Sequence, residues 1–286
     1  MARVVLAAVL AVATLIHGAP APAQDNMTTL QAKCVRETNR AYRKLAAVYG
    51  AEHARCVKSV RAVGGSYDAC IANLEQSRKV QKAQERVRQI ADTRCTDTPP
   101  FAYSSPDTVI QAAADGEVAL VRKTFGADVA AAIKPATAGC QANLLAAMQK
   151  CRDTSLGGYN ECKQQELQVI EGPDYTRLLA DRCIRQGVFS EDRGTGEPRQ
   201  LFKNCRVAIS DALVKGCGIS TTAQIAALFP GECSGAFAAS NVCLKRVVTC
   251  TACRAVDVAD ALGISGFQDD TCDRVDDGNM NASCAP

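Results

Sequence analysis

Apolar residues recur along this chain with a helical period. Leu30, Cys34, Ala41, Leu45, Val48 and Cys56 fall on one helical face, and Cys70, Leu74, Val80, Val87, Ile90 or Ala91, and Cys95 do so again. Arg, Lys, Glu and Gln fill the intervening positions, the pattern of a solvated face. The cysteines at either end of each run are separated by about 22 and 25 residues, roughly 33 and 37 Å of helix at ~1.5 Å per residue. A turn at Gly64-Gly65 folds two helices of similar length back on each other. That arrangement sets Cys56 opposite Cys70 and Cys34 opposite Cys95, and predicts two nested disulfides. Pro99-Pro100 ends the unit. No strand-like alternation stands out, so the expected fold is all-α.

Past a linker at residues 99–106, Asp107 reads as a helix N-cap before Val109, Ile110, Ala113, Val118 and Val121, and Gly126 ends that helix. A second run over residues 127–151 is interrupted at Pro135. Gly157-Gly158 marks a loop over residues 153–159 flanked by Cys151 and Cys162, which suggests a shorter copy of the opening hairpin. A Cys151–Cys162 bridge is expected there, with Cys140–Cys183 as its outer pair. A further break is expected at Gly172-Pro173. Residues 187–198 are polar and rich in Gly, Glu and Arg, a boundary in composition. Beyond them, residues 201–215, 221–229 and 241–262 read as helices among closely spaced cysteines. The resulting organisation is a signal peptide at 1–23, a stapled hairpin at 24–98, a central helical region at 106–186, and a cysteine-dense helical region with an acidic tail at 199–286.

Composition changes the picture in one respect. The chain has 286 residues, 47% hydrophobic, only 5% aromatic and no Trp, so Ala, Leu and Val must build the core. It also carries sixteen cysteines. The N-terminus accounts for them: Arg3 begins a short positive region, Val4 to Ile16 is apolar, and Ala21-Pro22-Ala23 is a small-residue cleavage site, with Ala19-Pro20-Ala21 as the alternative. The apolar run is short for a membrane span, and no second one follows, so no transmembrane segment is expected after signal removal. Localisation is therefore expected to be secreted or periplasmic, with the cysteines forming a disulfide framework. The formal charge of +3 does not argue for nucleic acid. Residues 24–95, however, hold 14 Lys and Arg against seven Asp and Glu, a balance of +7. Such a surface suits anionic envelope polymers or another envelope protein.

Candidate chemistry is sparse. Cys250-Thr251-Ala252-Cys253 is a CxxC pair, which serves as a redox dithiol, a metal half-site or a haem attachment. Arg254 stands where haem attachment needs His, and a thioredoxin-type motif needs a βαβ context that is absent. In an exported chain both cysteines are expected in disulfides to other segments, with a redox Cys250/Cys253 pair as the alternative. His53 is the one histidine left after signal removal and is expected on a solvated helix face. No G-x-S-x-G elbow, phosphate loop or H-E-x-x-H is present. Asp269, Asp270, Asp273, Asp276 and Asp277 invite a calcium loop. With Gly278 at the sixth EF-hand position, Val275 and Cys284 occupy ligand positions three and twelve, so that match fails. No cofactor or metal is expected.

The spacing of Cys34, Cys56, Cys70 and Cys95 resembles coiled-coil-helix cysteine hairpins in architecture alone, with much wider intervals. The end of the chain offers a second likeness. Cys250 and Cys253, then Val256-Asp257 and Asp260 to Leu262, then Cys272-Asp273, Asp276-Asp277-Gly278, Asn281, Ser283 and Cys284 resemble the C-terminal end of uncharacterised exported, cysteine-rich helical proteins of environmental deltaproteobacterial type. The resemblance implies a bacterial cell-envelope or secreted protein and carries no catalytic residue. Together these observations lead to the expectation of an exported structural or interaction protein.

Overall fold

The computed structural model describes residues 27–62, 65–167, 179–188, 200–219, 221–234 and 237–262, together with Cys272 and Cys284. The expected signal peptide at 1–23, Gly64, the expected break at Gly172-Pro173, residues 189–199 and the aspartates from Asp269 to Asp277 lie outside the described residues. Within them the protein is helical. The segments are α1 (Thr29–Ser59), α2 (Tyr67–Ala72), a 3-10 turn (Leu74–Gln76), α3 (Arg78–Arg94), α4 (Pro106–Phe125), α5 (Val129–Ala132), α6 (Ala138–Glu166), the π-helical α7 (Leu179–Val188), α8 (Gln200–Asp211) running into a π turn (Ala212–Gly216), α9 (Thr222–Leu228) and α10 (Phe237–Asp260). No described helix is long and apolar enough to cross a membrane.

Local chemistry sets the helix ends. Thr28 and Gln31 form a reciprocal capping box at the start of α1: the Thr28 hydroxyl accepts from the Gln31 backbone at 3.2 Å, and the Gln31 carboxamide accepts from the Thr28 backbone at 2.8 Å. Ser105 caps α4 with Pro106 in its first turn, and Gly126 ends it at φ 84°, a backbone region that favours glycine. Pro135 lies between α5 and α6 and interrupts the run as expected.

The opening hairpin has its two nested disulfides. Cys34–Cys95 and Cys56–Cys70 bring Cα atoms to 4.9 and 5.4 Å. Its return limb differs from the single helix expected over Cys70 to Cys95. Asn73 folds its carboxamide back onto the Ala69 carbonyl at 2.9 Å, ending α2, and Ser77 is extended before α3. The break lets Glu75 Oε1 accept a hydrogen bond from the Tyr49 hydroxyl at 2.8 Å, while Gln84 donates to the Tyr49 hydroxyl oxygen at 2.8 Å. Leu30, placed on the apolar face by its spacing, is instead 66% exposed.

The central region departs further. Gly157 and Gly158 are not a loop; α6 runs through them without a break. A Cβ on Gly158 would stand 3.0 Å from the Gly187 carbonyl oxygen, and one on Gly187 would stand 2.3 Å from the Tyr159 nitrogen. The glycines are there because α7 crosses α6 at backbone contact. Cys151 and Cys162 therefore sit on one straight helix, roughly 16 Å apart at ~1.5 Å per residue, and cannot bond. Cys162 joins Cys183, Cys151 joins Cys205 and Cys140 joins Cys217. This corrects both central pairings expected from the sequence.

The four long helices close a ring: α1 lies on α6, α6 on α10, α10 on α4 and α4 on α1. α3 covers the outside of α1, α7 lies along α6, and α8 bridges α6 and α10. Leu45, Tyr49, Leu120, Leu144, Leu145, Met148, Leu156 and Tyr159 fill the interior, each under 2% or at most 2% exposed. Burial of such side chains contributes about 1.5–3 kcal/mol each. Eight disulfides take up all sixteen cysteines. Cross-linking on this scale belongs to an oxidising compartment such as the periplasm or the extracellular space.

Candidate functional site

One face of α1 carries Arg36, Arg40, Arg43 and Lys44 along a cleft of about 640 Å³ that α6 closes with Asp153, Asn160, Glu161 and Gln164. The helical register explains the array. Arg36, Arg40 and Lys44 are four residues apart, so they line up along the axis while Val35, Tyr42 and Leu45 turn inward. Arg43 reaches across to α6 and holds Asp153 with both arms, Nε to Oδ1 at 2.7 Å and Nη2 to Oδ2 at 2.8 Å. That hydrogen bonding raises the Arg43 pKa above its ordinary value. The pair is more than one-third exposed on both sides, so it fixes geometry more than it adds stability. Gly157 leaves room for the guanidinium, since a Cβ there would stand 2.8 Å from Arg43 Nη1. Arg40 pairs with Glu37 at 3.2 Å. The Arg36 Nε is buried and makes no hydrogen bond among the described residues.

Beneath the cleft lies a buried polar cluster. Lys163 Nζ is 2.6 Å from Asp260 Oδ2 and donates to the Ala102 carbonyl at 3.0 Å. The Tyr159 hydroxyl donates to the same Asp260 oxygen at 2.7 Å. Asn39, on the cleft floor, closes the set: its amide nitrogen donates to Asp260 Oδ1 at 3.1 Å and its oxygen accepts from Lys163 at 2.8 Å. Burial depresses the Lys163 pKa, and the Asp260 carboxylate opposes that shift. The Tyr42 hydroxyl is raised, chiefly by burial.

A second buried pair, Arg152 with Glu117, ties α6 to α4. Gln149 donates to Glu117 Oε1 at 2.6 Å, and Arg152 donates to the Ala46 carbonyl at 3.0 Å, which brings in α1. His53 lies near this pair and is not solvated: it is 3% exposed, with Nδ1 3.0 Å from the Tyr67 hydroxyl. Burial lowers its pKa, and Glu117 pulls the other way. The sequence placed His53 beside a charged face, but that face of α1 is covered by Tyr67 and the neighbouring helices.

Cys250 and Cys253 lie on α10 and bond to different partners, Cys284 and Cys253's own partner Cys272, with Cα separations of 5.2 and 5.9 Å. The two sulfurs of the motif are thus not joined to each other; they pin two points of the tail onto α10. Arg254 donates to the Cys284 carbonyl at 3.1 Å from both Nε and Nη2. Asp257 and Asp260 are buried helix residues, 4% and 2% exposed. The buried charges escaped sequence reasoning, yet a signal existed. Glu117 occupies a core position of the α4 stripe, between Ala113 and Leu120, and Lys163 follows Tyr159 at the same four-residue interval on α6. A charge inside an apolar stripe marks a buried pair as well as a helix edge. Among the described residues, no group of three or more His, Cys, Asp or Glu is placed to hold a metal ion.

A profile described as PE family matches residues 1–72, a stretch that ends with α2. No curated protein and no solved structure matches the chain.

Proposed function

We propose that this chain is an exported interaction protein of the bacterial cell envelope or extracellular space, acting by binding rather than by catalysis. Its partners on this reading are anionic envelope polymers, met by the basic face of the N-terminal hairpin. The observation that carries the reading is the aligned Arg36, Arg40 and Lys44 on a helix held rigid by two disulfides. The eight cystines support export, because reducing compartments do not sustain such a framework. The likeness of the C-terminal cysteine pattern to exported helical proteins of environmental deltaproteobacterial type supports a bacterial source.

The test is capture. The oxidised mature protein is immobilised, exposed to a solubilised envelope fraction and eluted with salt. Recovery of phosphate- or uronate-containing polymer is expected. Elution of a protein alone would replace the polymer by another envelope protein as the partner. An empty eluate would overturn the reading.

A further inference from the structure

Resting on that reading, we propose that the cleft between α1 and α6 is itself the polymer site, and that it takes a single flexible chain of oxyanions, phosphate or carboxylate, spaced near 6 Å. Three observations converge on it. Arg36, Arg40 and Lys44 repeat every fourth residue along α1, a rise of about 6 Å per step at ~1.5 Å per residue. Of these, Arg40 is partly engaged by Glu37, whereas Arg36 and Lys44 carry no ion pair among the described residues. The Arg36 Nε is buried without an acceptor, in a side chain that lines the cleft. An unmet guanidinium N–H is costly out of water, and a rotation of the Arg36 side chain toward the cleft brings it to an oxyanion bound there.

The walls explain why a single chain fits. Arg43 is not a ligand: Asp153 holds both its arms, and the pair forms one end of the cleft. Asn160 donates to the Asn39 backbone carbonyl at 3.3 Å, so the opposite wall carries the amides of Asn160 and Gln164 and the carboxylate of Glu161 rather than a second row of cations. Asn39 anchors the floor to the buried Lys163 and Asp260. The cationic row is therefore one helix wide, spans about 12 Å from Arg36 to Lys44 at ~1.5 Å per residue, and engages roughly three charges of a polymer.

The experiment titrates the oxidised mature chain with labelled poly(glycerol phosphate) and, separately, polygalacturonate, following anisotropy at rising salt. With about three charges neutralised, a slope near −2 in log K against log salt is expected, about a 20-fold weakening over a fourfold rise in salt. Arg36→Ala combined with Lys44→Ala should abolish most of the binding. Lys82→Ala combined with Arg86→Ala removes two cations from α3 and should leave it nearly unchanged. If Arg36→Ala lowers helicity, Arg36→Lys with Lys44→Glu keeps the test open, and unchanged binding by that variant would overturn the cleft. Equal weakening by the α3 variant would also overturn the cleft while leaving the basic-hairpin reading standing. No binding of either polymer at low salt would remove both. The tighter of the two polymers identifies phosphate or carboxylate as the natural group, and tighter binding of oligodeoxythymidylate than of either would overturn the envelope source.

Discussion

Lys163 and Asp260 meet at 2.6 Å in the interior, one from α6 and one from α10, and neither is more than 2% exposed. They join helices whose sequence positions are far apart, and Tyr159, the Ala102 carbonyl and Asn39 surround them. Lys163→Met should leave the carboxylate buried without its cation and cost about 3–5 kcal/mol. Lys163→Met with Asp260→Leu removes both charges and should recover much of that loss. Urea unfolding followed by circular dichroism checks both. An unchanged midpoint in the single variant would mean that the pair does not form.

His53 gives the protein a pH dependence with a definite sign. Its folded pKa lies below the ordinary value of 6.5, so the unfolded chain binds the extra proton first as pH falls. Stability is then full above 6.5 and declines as acid takes the pH down through the folded pKa. Glu117, which favours the charged ring, and Arg152, which opposes it, both face this site. His53→Gln keeps a hydrogen-bonding group toward Tyr67 and should flatten the decline over that window. Parallel curves for the two proteins would dismiss the histidine as the source.

The cross-links should not count equally. Cys34–Cys95 spans 61 residues and Cys56–Cys70 spans 14. In the chain-entropy account the longer loop gives the larger restriction, by about 1 kcal/mol. Replacing the first pair by alanines should therefore lower the melting midpoint more than replacing the second. Full reduction should melt the hairpin, whereas a chelator should leave the midpoint where it was.

Gly187 is the tightest test of the packing. A methyl group there would stand 2.3 Å from the Tyr159 backbone nitrogen, whereas one on Gly216 meets nothing within 4 Å. Gly187→Ala should cost about 1–3 kcal/mol through displacement of α7. Gly216→Ala should change stability little. Similar midpoints for the two variants would indicate that α7 does not press on α6.

The hairpin was legible because its determinants are local. Two apolar runs of like length, each closed by cysteines, leave one economical pairing. The middle of the chain was not, because glycine is ambiguous. Gly157-Gly158 reads as a turn when judged by conformational freedom, yet the pair is used for its missing side chains: Arg43 takes the space at Gly157, and a helix some thirty residues later takes that at Gly158. Half-cystines inherit that ambiguity: once α6 is continuous, Cys151 and Cys162 must look elsewhere. The cleft was half visible. The charge balance of residues 24–95 showed a basic hairpin, but only the tertiary fold set α6 against Arg36 and Lys44.

The order of the bridges also determines how the chain carries tension. Cys34–Cys95, Cys140–Cys217, Cys233–Cys243 and Cys250–Cys284 each short-circuit the backbone between their ends. A pull applied at the two termini passes through sulfur at every one of these intervals. The longest stretch left in series between Cys34 and Cys284 runs from Cys95 to Cys140, and it contains α4. That helix is the longest yielding element; shorter ones lie between Cys217 and Cys233 and between Cys243 and Cys250. A single backbone cut in any of these three stretches divides the oxidised protein in two, whereas a cut inside any of the four loops releases no fragment.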